Sequence, residues 1–245
     1  MTWTDVQKTL KKNNIILVPV GSFEQHGSHL PLETDTILAT EVAERAARKA
    51  GVAVTPTISF EFSIEHMNFP GTISLRSETF LSMMYDISRS LIHHGFKKLV
   101  FVNAHGGNTD LIKVLTRSLR YESETYVVLL SVWELASKEF KKIRESTPTV
   151  ISHAEEFETS LLLYLYPNLS RMNRVKAVKS FTSKKTGKQL FSLDTEIRVG
   201  WRTEDYSKTG VLGDPKRSSP EKGRRLLNAA VMSLVNFLNK LKDVN

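Results

Sequence analysis

Lys97-Lys98-Leu99-Val100-Phe101-Val102-Asn103-Ala104-His105-Gly106-Gly107-Asn108 joins an unbroken apolar run to a polar, glycine-containing turn. The run from Leu99 to Val102 shows no alternation, which predicts a strand buried on both faces and hence a parallel sheet. Working outward, Ile15-Ile16-Leu17-Val18-Pro19-Val20 repeats the pattern and predicts a strand over 14–20. Pro19 lacks a ladder donor, so that strand is expected at an edge or incompletely paired near its end. Further strands are expected over 52–58 and 126–132. Between them, apolar residues at helical spacing predict helices over 3–12, 35–50, 77–91, 108–121, 134–145 and 152–166. Ser219-Pro220-Glu221 opens a last helix with a cap and a proline at its first position. Strand and helix alternating in this way argue for an α/β fold, a mostly parallel sheet covered on both faces. No repeat or linker divides the chain. The stretch from about 171 to 209 is basic and yields only short strand-like pieces, 174–178 and 196–199.

The 245 residues suffice for one sizeable core, and 40% hydrophobic with 24% charged residues excludes a disordered chain. The absence of cysteine removes disulfides, thiolate metal sites and a cysteine nucleophile together. No window approaches the roughly 18 to 20 apolar residues of a membrane span, and no signal-peptide layout is present, so a cytoplasmic protein without a membrane partner is expected. The formal charge of +8 favours anionic partners, among them phosphorylated small molecules. No nucleic-acid-binding motif accompanies it, and none is expected to bind.

Chemistry concentrates in three polar clusters. The first, Glu24 to Asp35, follows the strand over 14–20 directly, and Glu24 and His26 leave it on one side because alternate residues share a face. The second holds His105, and both lie where an apolar strand gives way to a loop, the usual ligand position in open α/β sheets. The third is Ser152 to Thr159. On a helix, Ala154, Phe157, Leu161, Leu162 and Leu165 form its apolar stripe, which places Glu158 on the flank of the buried face and Glu156 toward water. Carboxylates and imidazoles together suit zinc, manganese or iron better than calcium. Asp35 could instead cap its helix, and Gly106-Gly107 could cradle a phosphate through backbone N–H groups. His66 stands in a long loop, 60–75, of the kind that often carries function. The Lys184-Lys185-Lys188 cluster reads as a solvated face. No Gly-x-Ser-x-Gly elbow supports a serine hydrolase.

Glu24-Gln25-His26-Gly27-Ser28-His29-Leu30-Pro31 through Asp35, Phe69-Pro70-Gly71-Thr72, Asn103 to Asn108, His153 to Ser160 and Gly210 to Pro215 together resemble the creatininase family of metal-dependent amidohydrolases. The resemblance implies one three-layer α/β/α domain over 1–245, two divalent ions (Zn, Mn or Fe) and a homo-oligomer, often a hexamer. By motif, Glu24, Asp35 and His105 would hold one ion and His26, Asp35 and Glu158 the other, with Asp35 bridging. His153 matches the proton-transfer histidine, and His66, Gly106, Gly107 and Trp133 would face the substrate. The family's type enzyme has a glutamate where this chain has Gly107, and a second tryptophan near where Thr149 stands. Hydrolysis of a non-peptide C–N bond through a metal-activated hydroxide is therefore expected, with a formamide of a pyrimidine ribotide on the riboflavin and deazaflavin route favoured over creatinine. A metal-braced binding protein without activity is the competing class.

Overall fold

The structure, a computed structural model, describes residues 1–147, 152–175 and 200–244. Within these, β1 (Ile15–Val20), β2 (Ala53–Val54), β3 (Lys98–Asn103) and β4 (Tyr126–Ser131) form one parallel sheet in the order β2-β1-β3-β4. The helices are α1 (Trp3–Leu10), α2 (Thr34–Ala50), α3 (Ser77–His93), α4 (Asn108–Glu122), α5 (Val132–Ile143), α6 (Glu156–Leu165), α7 (Thr203–Tyr206) and α8 (Pro220–Lys242). Every residue of β1 and β3 is buried, as their continuous apolar composition requires. Ile15, Leu17, Val100 and Val102 face a layer made by α2, α5, α6 and α8. Val18, Val20 and Phe101 face Phe80 and Met84 of α3 and Ile112, Leu115 and Leu119 of α4.

Two expectations need correction. The strand over 52–58 contracts to two residues and an isolated bridge between Ile58 and Val20, because Pro56 has no N–H to continue the ladder. Pro19 is not on an edge, since β1 pairs with β3 along its whole length. Its carbonyl accepts from Ile58 N at 3.0 Å, so its missing N–H faces the side where β2 has already ended. Incomplete pairing is the alternative that holds. The strand-like pieces at 174–178 and 196–199, apart from Arg174 and Val175, lie outside the described residues, as do Thr149 and the Lys184-Lys185-Lys188 cluster.

Helix α8 packs across α2, α5 and α6. A Cβ on its Gly223 would sit 1.9 Å from Ser160 O, so only glycine allows this approach to α6. Beneath its far end, the buried Lys98 donates to Leu241 O at 2.9 Å, meeting carbonyls that the end of a helix leaves open. Among helices of the described residues, none is long and apolar enough to cross a membrane.

Glu156 also departs from expectation. It is fully buried, where the helical stripe placed it toward water. It accepts from Ser146 N at 2.7 Å and Glu145 N at 3.1 Å and is ion-paired with Lys222 of α8, which draws it inward. Removing that ammonium strands a buried carboxylate, so Lys222→Met is expected to cost about 3 kcal/mol in urea denaturation. A loss below about 0.5 kcal/mol would show that backbone N–H groups alone balance the charge.

Candidate metal centre

The carboxyl ends of β1 and β3 lie side by side, Val20 opposite Asn103, and the loops that follow them build one wall each. Asn103 shapes the second loop from within. Its Nδ2 donates to His105 O at 2.6 Å, and Asn108 Nδ2 donates to Asn103 Oδ1 at 3.3 Å and to Gly21 O at 3.0 Å, tying the two loops together. Asp35 enters from the first turn of α2. It does not cap that helix: its carboxylate accepts from Ser22 Oγ at 3.0 Å and points at two imidazoles.

Those imidazoles have fixed tautomers. His26 Nδ1–H donates to Glu24 O at 3.1 Å, and His105 Nε2–H donates to Phe62 O at 3.2 Å. Each therefore turns the lone pair of its other nitrogen inward. His26 Nε2 lies 3.2 Å from Asp35 Oδ1 and 3.7 Å from Glu158 Oε2. His105 Nδ1 lies 3.0 Å from Glu24 Oε1 and 3.4 Å from Asp35 Oδ2. A lone pair facing a carboxylate oxygen is repulsive unless a cation, a proton or a metal ion, lies between. Glu24 Oε1 is buried with no hydrogen-bond partner, the mark of a ligand atom awaiting such a cation. Glu24, His26 and Asp35 offer donor atoms all within 4.8 Å of one another, as do His26, His153 and Glu158. The residues present fit divalent ions held by nitrogen and oxygen.

Without ions, protons take those places. Burial lowers His26, but Asp35, Glu158 and Glu24 outweigh it and lift it from 6.5 to about 10. His105 is raised for the same reason, chiefly by Glu24 and Glu61 against burial. Burial lifts Glu61 and Glu158 from 4.5 to about 8. His153 is lowered by burial and by His26, and His66 falls to about 4, mainly through burial. A group whose folded value is raised gives stability that is complete below its ordinary value and lost as pH rises through the raised one. His26, Glu61 and Glu158 therefore act in the same direction between about pH 6.5 and 8, and His26 continues to about 10. The lowered histidines titrate below that window. Metal-stripped protein is expected to lose stability steadily from pH 6.5 to 9 in urea titrations. A midpoint that holds or rises over that range would contradict these proton positions.

Around the centre stand residues that patterning did not single out. Glu61 and Ser63 are fully buried; Ser63 Oγ lies 2.5 Å from Glu24 Oε2 and 2.6 Å from Glu61 Oε1. One hydroxyl proton serves only one of these, and a protonated Glu61 supplies the other, as its raised value allows. Gln25 Nε2 donates to His66 Nδ1 at 2.8 Å and to Gly210 O at 3.1 Å. Their one sequence signal was position: Gln25 inside the first cluster, Glu61 and Ser63 at the start of the long loop. Ala154 adopts φ 52°, a left-handed conformation costly for a residue with a side chain, between His153 and Glu155. This turn directs Ala154 N to Glu158 Oε2 at 2.6 Å and sets His153 between the rings of His26 and His66, at 4.2 and 4.4 Å. His153 Nε2–H donates to Gln25 O at 2.5 Å, leaving Nδ1 facing Glu24 Oε1 at 3.6 Å. Burial raises Glu155 to about 7.

A cavity of about 650 Å³ opens from this centre, lined by Asp35, His105, His153 and Glu158. His66, Gly106, Gly107 and Trp133 line it too, joined by Trp201 and Glu65, which the sequence reading left aside. A Cβ at Gly107 would meet His105 Nε2 at 2.5 Å and Glu65 Oε1 at 2.8 Å, so Glu65 fills the room that a side chain there would need.

A parallel sheet carrying a buried nest of carboxylates and imidazoles at its carboxyl edge makes a candidate metal centre, and comparison with known proteins gives its class. The model of the creatinine amidohydrolase (creatininase) family matches residues 1–238, and the chain belongs to that family. It is 30% identical over 257 residues to the creatinine amidohydrolase of Pseudomonas putida, covering 98% of this chain and 95% of the relative. It is 32% identical to the mycofactocin precursor peptide peptidase of Mycobacterium ulcerans (90% and 83% covered). To the 2-amino-5-formylamino-6-ribosylaminopyrimidin-4(3H)-one 5'-monophosphate deformylase of Methanothermus fervidus it is 27% identical (94% and 86% covered). The solved structure of creatininase Mn superposes with a TM-score of 0.84 at 28% identity, over 100% of this chain and 97% of that one. The protein is thus a metal-dependent amidohydrolase of the creatininase family, a hydrolase of C–N bonds.

Proposed function

We propose that the chain hydrolyses the formamide of a pyrimidine ribotide at a centre for two divalent ions. The observation that supports the centre is the pair of inward lone pairs, His26 on Asp35 Oδ1 and His105 on Asp35 Oδ2, which lets one carboxylate serve two ions. Glu24, Asp35 and His105 would hold one and His26, Asp35 and Glu158 the other. Bound there, zinc, manganese or iron would supply Lewis-acid polarisation of the amide carbonyl and acidify the attacking water. His153 delivers a proton to the departing nitrogen, which an amine leaving group requires. His66 accepts at Nδ1 from Gln25, so its Nε2–H is turned toward Glu24 Oε2 at 3.6 Å, where it steadies that carboxylate. Gly106 leaves open space at the cavity wall beside His105, and Trp133 offers a flat face. A homo-oligomer, often a hexamer by the family resemblance, belongs to this reading.

The formamide is supported by the relation to the Methanothermus deformylase and by the +8 charge, which suits a phosphorylated substrate. The Pseudomonas relative, matched along nearly the whole chain, supports creatinine as a second reading. Protein loaded separately with Zn, Mn and Fe and offered creatinine, the formylaminopyrimidine ribotide and simple formamides separates them. Release of formate from the ribotide is the expected result, and turnover of creatinine alone overturns it.

A further inference from the structure

Helix α5 begins one residue after β4 ends, beside the carboxyl edge that carries the metal centre. Trp133, Ser137 and Lys141 recur every fourth residue and line the same cavity as His105 and His153, with Arg144 one turn further. At about 1.5 Å of rise per residue, Lys141 lies about 12 Å along the helix from Trp133. This wall of the slot therefore has Trp133 at the end of α5 next to the sheet's carboxyl edge, and Phe140, Lys141 and Arg144 toward its other end.

Those cations are available. No carboxylate pairs with Lys141 among the described residues, whereas the neighbouring Lys142 is 3.7 Å from Glu139. Asp110, which also lines the cavity, is engaged by Lys113 at 3.2 Å. Burial raises Glu155, outweighing the charge of Arg144, which lies within reach and lowers it. Arg144 spends one N–H on Ser146 Oγ at 3.1 Å and one on Thr147 O at 2.9 Å, and its guanidinium lies over Phe140, 5.1 Å from the ring centre. Among the described residues three of its five N–H donors remain, held in a fixed plane.

Resting on the amidohydrolase reading above, we propose that Lys141 and Arg144 form the distal subsite of the substrate, where they hold a phosphate monoester roughly two to three helical turns along α5 from Trp133. Two positive charges match a phosphate monoester's charge of −1.5 to −2, and a planar fork beside an ammonium suits its oxygens. The slot thus takes a molecule of mononucleotide length, flat at one end and anionic at the other.

Calorimetric titration with adenosine 5'-monophosphate and with adenosine tests this without requiring turnover. Adenosine 5'-monophosphate is expected to bind about 10- to 100-fold more tightly, in metal-loaded and metal-stripped protein alike. Lys141→Glu, an exposed change that folding tolerates, should abolish that preference, and Arg144→Gln should reduce it. Equal binding of the two ligands, a preference that survives Lys141→Glu, or one that vanishes on stripping the metal would each overturn the subsite. The amidohydrolase reading fails separately, if no amide is turned over while the phosphate preference stands.

Discussion

Asp35→Asn is expected to strip the protein of both ions and to lower hydrolysis of any amide substrate by roughly 10³-fold or more. The side chain keeps its size, so the loss traces to chemistry. Asp35 Oδ1 faces His26 Nε2 at 3.2 Å and Oδ2 faces His105 Nδ1 at 3.4 Å, and both nitrogens present lone pairs because their other N–H groups are committed to backbone carbonyls. An amide offers one oxygen and one NH₂, and the NH₂ satisfies an imidazole lone pair directly, leaving no place for a cation on that side. The other side loses the negative charge that draws the ion in. Elemental analysis after dialysis should find less than one ion per chain, and two ions per chain with full activity would refute the bridging role.

His153→Gln should behave in the opposite way toward metal. Both ions are expected to stay while turnover falls about 10²- to 10⁴-fold. His153 is the strained junction's product: the left-handed Ala154 turn places its ring between His26 and His66, with Nδ1 3.6 Å from Glu24 Oε1. Its nitrogen shares donor groups with Glu24 and His66 and with His26 and Glu158, so the position would also permit ligation. The two roles separate by measurement. Ions lost together with activity would make His153 a ligand, and ions and activity both unchanged would end the proton-transfer proposal.

Much of this architecture was legible because its strongest signals are local. The unalternating runs around Val18 and Val100 specify strands buried on both faces, and the polar residues after each run land at one edge because parallel strands end on the same side. The relation of Glu24 to His26 follows from strand periodicity in the same way. Periodicity gave the wrong environment for Glu156, because its partner Lys222 is 66 residues away on another helix and helical spacing reports only the helix's own stripe. Pro19 left two readings open for a similar reason: whether its missing donor marks an edge or only incomplete pairing depends on where β2 stops. Glu61, Ser63, Glu65 and Trp201 stayed hidden because they come from loops and, for Glu65, one 3-10 turn, too short for a period to announce which side chains turn inward.

Helix α8 has a bearing on how the molecule is made. Its Leu226, Leu234 and Leu238 close the apolar layer against α2, α5 and α6, and Leu241 O receives the ammonium of Lys98 from 143 residues earlier. During synthesis, the odd-numbered face of β1 and the buried Lys98 therefore have no complete cover until α8 has left the ribosome. A nascent chain halted before residue 220 exposes Ile15, Leu17, Val100 and Val102 behind an incomplete helical layer, a surface on which chaperones act and unfinished chains associate.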